Sequence, residues 1–334
     1  VFTLICGAGL KNTAGNKMRI LQKTIMKNFF LLLSGLIIIC IALINSCNKK
    51  NDISPFPGSD PAAERISTSP SYRGLYVDNF DDMLGDTSKE NTLLRWCKKY
   101  KIKVIGLYDL NTILQNSSNN TALAKFIKKS KNSYGIKQVA AIRGLGIQFN
   151  QTLTIYNNTR TDTVERFNVF NLENEWWNNG TSCDFSCWTN YLKEMNTAAH
   201  AAVPPLLAEE YIGWFQNPTG QEQLQADTLV YYSDRILVHD YRISPDFSYM
   251  QSRLGYLGKA AKAQGKIINI IVIFSAEPGF MGNYFDVNGQ DHSFDDAYAE
   301  IVSQHNAATF NGKKNIKIVG YQVFDYSYAH AVRP

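Results

Sequence analysis

No glycine-rich loop follows the first apolar run of the folded part, at residues 74–78. That absence removes the phosphate cradle of nucleotide-binding open sheets. The five histidines (His200, His239, His292, His305 and His330) form no ligand-spaced pair, and none stands close to Cys183 and Cys187. A metal centre therefore has no evident donor set. An excess of one charge is missing as well. Of the 34 basic residues, Lys11, Lys17, Arg19, Lys23 and Lys27 fall in residues 1–46, which hold no acidic residue, and the remainder balances at 29 basic against 29 acidic. The net charge of +5 thus belongs to the leader. A neutral remainder lacks the electrostatic footprint of a nucleic-acid binder. No internal repeat is visible.

What is present is apolar material. Hydrophobic residues make up 45% of the 334, aromatics 12% and charged residues 19%. This is enough for a sizeable core and argues against disorder.

The first residue is Val1, and Met26 offers a better start, so residues 1–25 are expected to precede the translated protein. Met26-Lys27-Asn28 and the apolar run from Phe29 to Ile44 read as the basic and hydrophobic parts of a secretory signal, residues 26–46. The run ends in Ile44-Asn45-Ser46-Cys47. This resembles the lipobox of bacterial lipoproteins, with an aliphatic residue, a small residue and then the cysteine that receives lipid. The resemblance implies export and attachment to the cell envelope, at the outer membrane, through Cys47. A plain membrane anchor is the other reading, although the run falls short of the ~20 residues that span a bilayer. Residues 47–71, with Pro55, Pro57, Gly58, Pro61 and Pro70, read as a flexible tether. Cys97 is expected to be a buried small hydrophobe, while Cys183 and Cys187 are close enough to bridge in an oxidising compartment.

From residue 72 onward, short apolar runs alternate with helical patterns. Strands are predicted at 74–78, 104–108, 138–142, 167–172, 206–210, 236–239, 268–274 and 318–324, and helices at 91–100, 121–130, 186–202, 247–264 and 293–306. Several strands are nearly continuous in Val, Ile and Leu, as strands buried on both faces are. Long gaps between them suit parallel crossovers. Eight such strands over residues 72–334 predict a single α/β domain, a (β/α)8 TIM barrel. Segment 148–166, with Leu153 and Ile155 alternating ahead of Asn157-Asn158-Thr159, reads as a small β-hairpin inserted between strands 3 and 4.

In such a barrel the chemistry sits at the C-terminal ends of the strands. The strongest cluster there is Phe167-Asn168-Val169-Phe170-Asn171-Leu172-Glu173-Asn174-Glu175-Trp176-Trp177. Alternation along a strand turns Asn171, Glu173 and Glu175 to one face. Crowded, partly desolvated carboxylates raise each other's pKa, which suits a general acid. Trp176 and Trp177 add flat faces on which a sugar ring can stack.

These residues resemble the fourth-strand motif of family 18 glycoside hydrolases, the chitinases and endo-β-N-acetylglucosaminidases, which reads F-D-G-x-D-x-D-x-E. Phe167 stands at its phenylalanine, Asn168 and Asn171 at the first two aspartates, Glu173 at the third and Glu175 at the catalytic glutamate. Ala141-Ile142-Arg143-Gly144 stands at the family's third-strand S-I-G-G, His239-Asp240 at the sixth-strand Tyr-Asp, and Phe324-Asp325 near the eighth-strand tryptophan. The resemblance implies hydrolysis of N-acetylglucosamine-containing glycans assisted by the substrate's own acetamido group. Glu175 would be the general acid, Glu173 the group that orients the acetamide, and Asp240 with His239 or Tyr241 its support. Glu173 is one methylene longer than aspartate, and two asparagines replace charges, so a non-catalytic glycan-binding lipoprotein is a second reading. A third takes Glu175, after Asn174, with Glu277 at the seventh strand as a two-glutamate retaining glycosidase. None of the three requires a cofactor. Protein partners are not legible.

Overall fold

The computed structural model describes residues 66–143, 147–178, 183–215, 220–285 and 292–332. Cys47, the leader and most of the tether lie outside the described residues.

The eight strands are β1 (Tyr72–Val77), β2 (Val104–Leu107), β3 (Gln138–Arg143), β4 (Val169–Leu172), β5 (Leu207–Ile212), β6 (Arg235–Asp240), β7 (Ile268–Ser275) and β8 (Ile316–Phe324). Each pairs in parallel with the next, and β8 returns to β1, closing the barrel. Around it run the helices α1 (Thr87–Lys99), α2 (Leu110–Leu114), α3 (Ser117–Tyr134), α4 (Ile147–Thr159), α5 (Phe185–Ala201), α6 (Glu222–Tyr232), α7 (Phe247–Ala263), α8 (Gly282–Phe285), α9 (Phe294–Ala307) and α10 (Tyr326–Ala329). This is the (β/α)8 barrel that the alternation of runs predicts.

The strands sort their side chains by the period of two. Tyr72, Tyr76, Val104, Ile142, Tyr211, Leu237, Ile271 and Ile273 pack together inside the barrel. Their neighbours, such as Leu75, Ile105, Ala141, Phe170, Ile236 and Val272, face the helices and form the larger core. The lower interior is polar. Glu209 and Arg235 form a buried ion pair. Arg235 Nη1 donates to Gln138 Oε1 at 2.9 Å, and its guanidinium lies 5.0 Å from the Tyr72 ring centroid. The Tyr72 hydroxyl donates to Gln322 Oε1 at 2.8 Å. Gly74 makes room for this network, since a Cβ there would meet Gln322 Oε1 at 1.7 Å.

Helix starts follow their capping residues. Asp86 accepts from the amides of Ser88 and Lys89 ahead of α1, and Asp184 from that of Cys187 ahead of α5. Cys97 is buried in α1 with Leu93 and Leu94, and burial pushes its thiol up. Cys183 and Cys187 are joined in a disulfide across the start of α5.

The hairpin expected in segment 148–166 is instead α4, followed by one 3₁₀ turn at Thr163–Glu165. The physical reason is the spacing of buried groups. Leu153, Tyr156 and Asn157 lie three and four apart and are all buried, while Ile155 is 63% exposed. Asn157 also makes two hydrogen bonds that hold the helix to the entry of β4, accepting from Phe167 N at 2.9 Å and donating to Phe167 O at 3.2 Å. The Asn-Asn-Thr stretch is the last turn of a helix.

A pair of substitutions separates the two geometries. In a hairpin Leu153 and Ile155 share a face and both matter. In the helix Leu153→Ala is expected to cost about 2–5 kcal/mol of unfolding free energy. Ile155→Ala is expected to stay within about 0.5 kcal/mol. Urea denaturation of the two variants reads the difference.

Candidate active site

The site is built where β4 leaves the barrel. Asn171, buried on the inner face, donates from Nδ2 to Glu209 Oε2 at 3.3 Å and so belongs to the polar floor. Asn168 turns to β3, where its Oδ1 accepts from Val139 N at 3.1 Å. Two residues beyond Asn171, Glu173 stays on the inner face. Its amide donates to Arg143 O at 2.6 Å, which carries the β3–β4 ladder one residue further. The Tyr108 hydroxyl, just past β2, donates to Glu173 Oε2. Burial pushes the Glu173 carboxyl up to about 7; the Tyr108 hydrogen bond opposes that rise and the neighbouring Glu175 charge adds to it.

Glu175 reaches back over the same mouth. Its Oε1 accepts from the Tyr211 hydroxyl at 3.3 Å and its Oε2 from the Asn178 amide. Half-buried, it stays reachable from solvent. Tyr211 is the last inward side chain of β5. Its hydroxyl also lies 3.3 Å from His239 Nδ1, while His239 Nε2 lies 3.4 Å from the Tyr249 hydroxyl of α7. Burial, with the Arg253 charge adding, pulls the His239 imidazole down to about 3, so it is neutral.

Tyr241 follows β6 on the inward side. Its ring packs against His239 (centroids 4.7 Å apart), Phe280 (5.3 Å) and Phe324 (6.0 Å). Burial holds its hydroxyl proton, and Tyr211 and the charges of Glu173, Glu277 and Glu175 reinforce that. Glu277, after β7, accepts from Ser275 Oγ at 2.7 Å and donates its own amide back to that oxygen at 3.2 Å.

Of the expected residues, Glu173, Glu175, His239, Tyr241 and Phe324 lie around the mouth, and Glu277 follows β7. Two expected members do not lie there. Asp240 alternates to the helix side of β6, is fully buried, and accepts from Asp246 N at 3.0 Å. Burial pushes it up to about 7, but among the loops under α7 and not beside Glu173. Trp176 is only 2% exposed, with its ring 4.1 Å from Trp188 of α5. A ring so covered offers no face to a sugar. Trp177 does lean into the mouth, edge-on to Tyr211 at 5.5 Å. Gly213 is what admits it, since a Cβ there would come within 2.8 Å of the indole.

The sequence marks Tyr211 only as a residue that lines the cleft or holds a loop, and marks no role for Tyr108 or Tyr249; the structure has Tyr108 and Tyr211 donating to Glu173 and Glu175, and Tyr249 beside His239. The signal for Tyr108 and Tyr211 is modest: each is the inward residue at the end of a strand that flanks the β3–β4 region. Tyr249 sits inside a helix, and nothing local marks it.

No protein-family model and no curated protein matches the chain. Among solved structures it is similar to a GH18 chitinase from Pseudoalteromonas aurantia, at 12% identity over 78% of this chain and 96% of that one, with a TM-score of 0.46. A family 18 chitinase from Crocus vernus aligns at 13% identity over 78% and 94%, with a TM-score of 0.43. An alpha-L-arabinofuranosidase from Thermotoga maritima aligns at 9% identity over 79% and 66%, with a TM-score of 0.46.

The Glu173 carboxyl is expected to titrate near 7 when followed by carbon NMR. Tyr108→Phe removes a donor that favours the carboxylate and moves the midpoint up; Glu175→Gln removes a like charge and moves it down. Because the folded-state value is raised, the folded chain binds the proton more tightly than the unfolded one. The contribution of Glu173 to stability is therefore present below the ordinary glutamate value and is lost as pH rises through about 7. Glu173→Gln flattens that part of the stability–pH curve.

Proposed function

We propose that the protein is an exported, lipid-anchored glycoside hydrolase of the cell envelope that acts on N-acetylglucosamine-containing glycans, with Glu175 as general acid. The observation that carries this reading is the pair of acids at the mouth: Glu173 held by the Tyr108 hydroxyl and raised to about 7, and the half-buried Glu175 accepting from the Tyr211 hydroxyl at 3.3 Å. In the first step the substrate's acetamido oxygen attacks the anomeric carbon. The glycosidic C–O bond breaks, and the leaving oxygen takes the proton of Glu175. Water then opens the cyclic intermediate and gives a proton back to Glu175. Glu173, held by Tyr108, orients the acetamide. Tyr241 takes the supporting place that Asp240, on the other face of β6, does not fill.

The Cys183–Cys187 disulfide supports export, because such bonds persist in oxidising compartments. Anchoring is assigned to Cys47. Cys47→Ser is expected to release the protein from the membrane fraction and to abolish labelling with radioactive palmitate.

A second reading is favoured by Glu277, which follows β7 and is held by the Ser275 hydroxyl at 2.7 Å: a two-glutamate retaining mechanism with Glu277 as nucleophile. The two differ in what they ask of the substrate. Only the first needs an acetamido group on the sugar.

Turnover of chitooligosaccharides and high-mannose N-glycans is expected in the native protein, with a fall of about 10²–10⁴-fold in Glu175→Gln and binding retained. Hydrolysis of sugars without the acetamido group, lost in Glu277→Gln, would instead establish the two-glutamate mechanism. Binding without turnover by the native protein would leave a glycan-binding module.

A further inference from the structure

Of the five tryptophans, only Trp214 is largely open to solvent, at 42% exposure. It stands two residues after β5, and the chemistry proposed above gives it no task. Its support is unusually built. The guanidinium of Arg253, on α7, lies 4.8 Å from the Trp214 ring centroid and the same distance from that of Tyr249. Arg253 is itself only 2% exposed. It donates from Nη1 to Gly213 O at 2.6 Å and from Nη2 to Tyr249 O at 3.0 Å. One buried cation thus ties the backbone beside Trp214 to α7 and backs its ring. Tyr249 and His239 meet the ring at right angles, with centroids at 5.0 and 5.6 Å. A large apolar ring fixed on several sides while still exposed to water is preorganised for a flat apolar partner.

The distances say which partner. His239 separates Trp214 from Tyr211, with centroids 5.6 and 6.0 Å away, and Tyr211 is the residue that reaches Glu175. Trp214 therefore stands two side chains from the acid, on the same mouth. A ring seated on it belongs to the same ligand but is not the ring whose bond Glu175 protonates.

We propose that Trp214 is the stacking platform for the C–H face of a second pyranose ring, so that the site selects oligosaccharides over short sugars. This rests on the glycan reading of the mouth and adds a subsite to it.

The test uses the full chain with Glu175→Gln to block turnover, titrated calorimetrically with chitooligosaccharides from disaccharide to hexasaccharide. Affinity is expected to rise with length. Adding Trp214→Ala removes that rise and weakens hexasaccharide binding about five- to tenfold, while disaccharide binding is unchanged. Trp214→Phe, which keeps a flat ring, restores most of the gain. Hexasaccharide affinity untouched by Trp214→Ala, or a loss equal at every length, overturns the platform and leaves the glycan reading standing. Failure of the parent to bind any length overturns the glycan reading and the platform with it.

Discussion

The ion pair between Glu209 and Arg235 fixes the interior of the barrel. Two charges on adjacent strands have been taken out of water, and the interior must compensate both. Removing one partner of such a pair costs on the order of 3–5 kcal/mol, because the other is left buried and alone. The surroundings answer that demand with Gln138 from β3, Asn171 from β4 and the Tyr72 ring from β1. Strands so tied have little freedom to slip, since a shift of one residue would turn every inward group outward. Register at the floor then dictates the mouth. Two residues beyond Asn171 comes Glu173, and two beyond Glu209 comes Tyr211. Four and six beyond Arg235 come His239 and Tyr241.

The same period separates acids of like composition into different roles. Glu209 points inward and its neighbour Glu210 outward, where it accepts from Trp188 Nε1 at 3.0 Å beneath α5. Burial raises Glu210 well above the usual carboxylate range, yet no ligand in the mouth can meet it. Asp240 repeats the pattern beside His239. A raised carboxyl is therefore a poor guide to chemistry in this fold until its face is known. Glu173 differs from Glu210 and Asp240 in facing the mouth, not in being buried.

Much of this was legible in the amino-acid order. The apolar runs located all eight strands, because strands covered on both faces leave an almost unbroken Val, Ile and Leu signal. Alternation turns Asn171 and Glu173 to the inner face, Asn171 at the polar floor and Glu173 at the mouth, while Glu175 lies beyond the end of β4. Legibility failed where a short pattern fits two periods. Leu153 and Ile155 look like a strand pair until Tyr156 and Asn157 are seen to be buried with Leu153. It failed again where a residue's worth depends on another element. Trp176 and Trp177 are adjacent in the chain, but α5 covers the first and Gly213 admits the second to the mouth. The motif pairs Asp240 with His239, and the strand turns it the other way.

Among the described residues, phenols donate to two of the acids at the mouth. Tyr108 faces Glu173, Tyr211 faces Glu175 and Tyr241 stands among them, each with its proton held chiefly by burial. A guanidinium in any of these places would hold the carboxylates ionised through attraction. A phenol donates a hydrogen bond without adding charge, so it offsets only part of the cost of desolvation. For Glu173 burial outweighs the Tyr108 bond, which is why the carboxyl comes to rest near neutral pH. Arg253, close by, turns its two Nη groups to the carbonyls of Gly213 and Tyr249. The protonation of Glu173 is thereby set by how much water reaches it, and a bound ligand that excludes water raises it further.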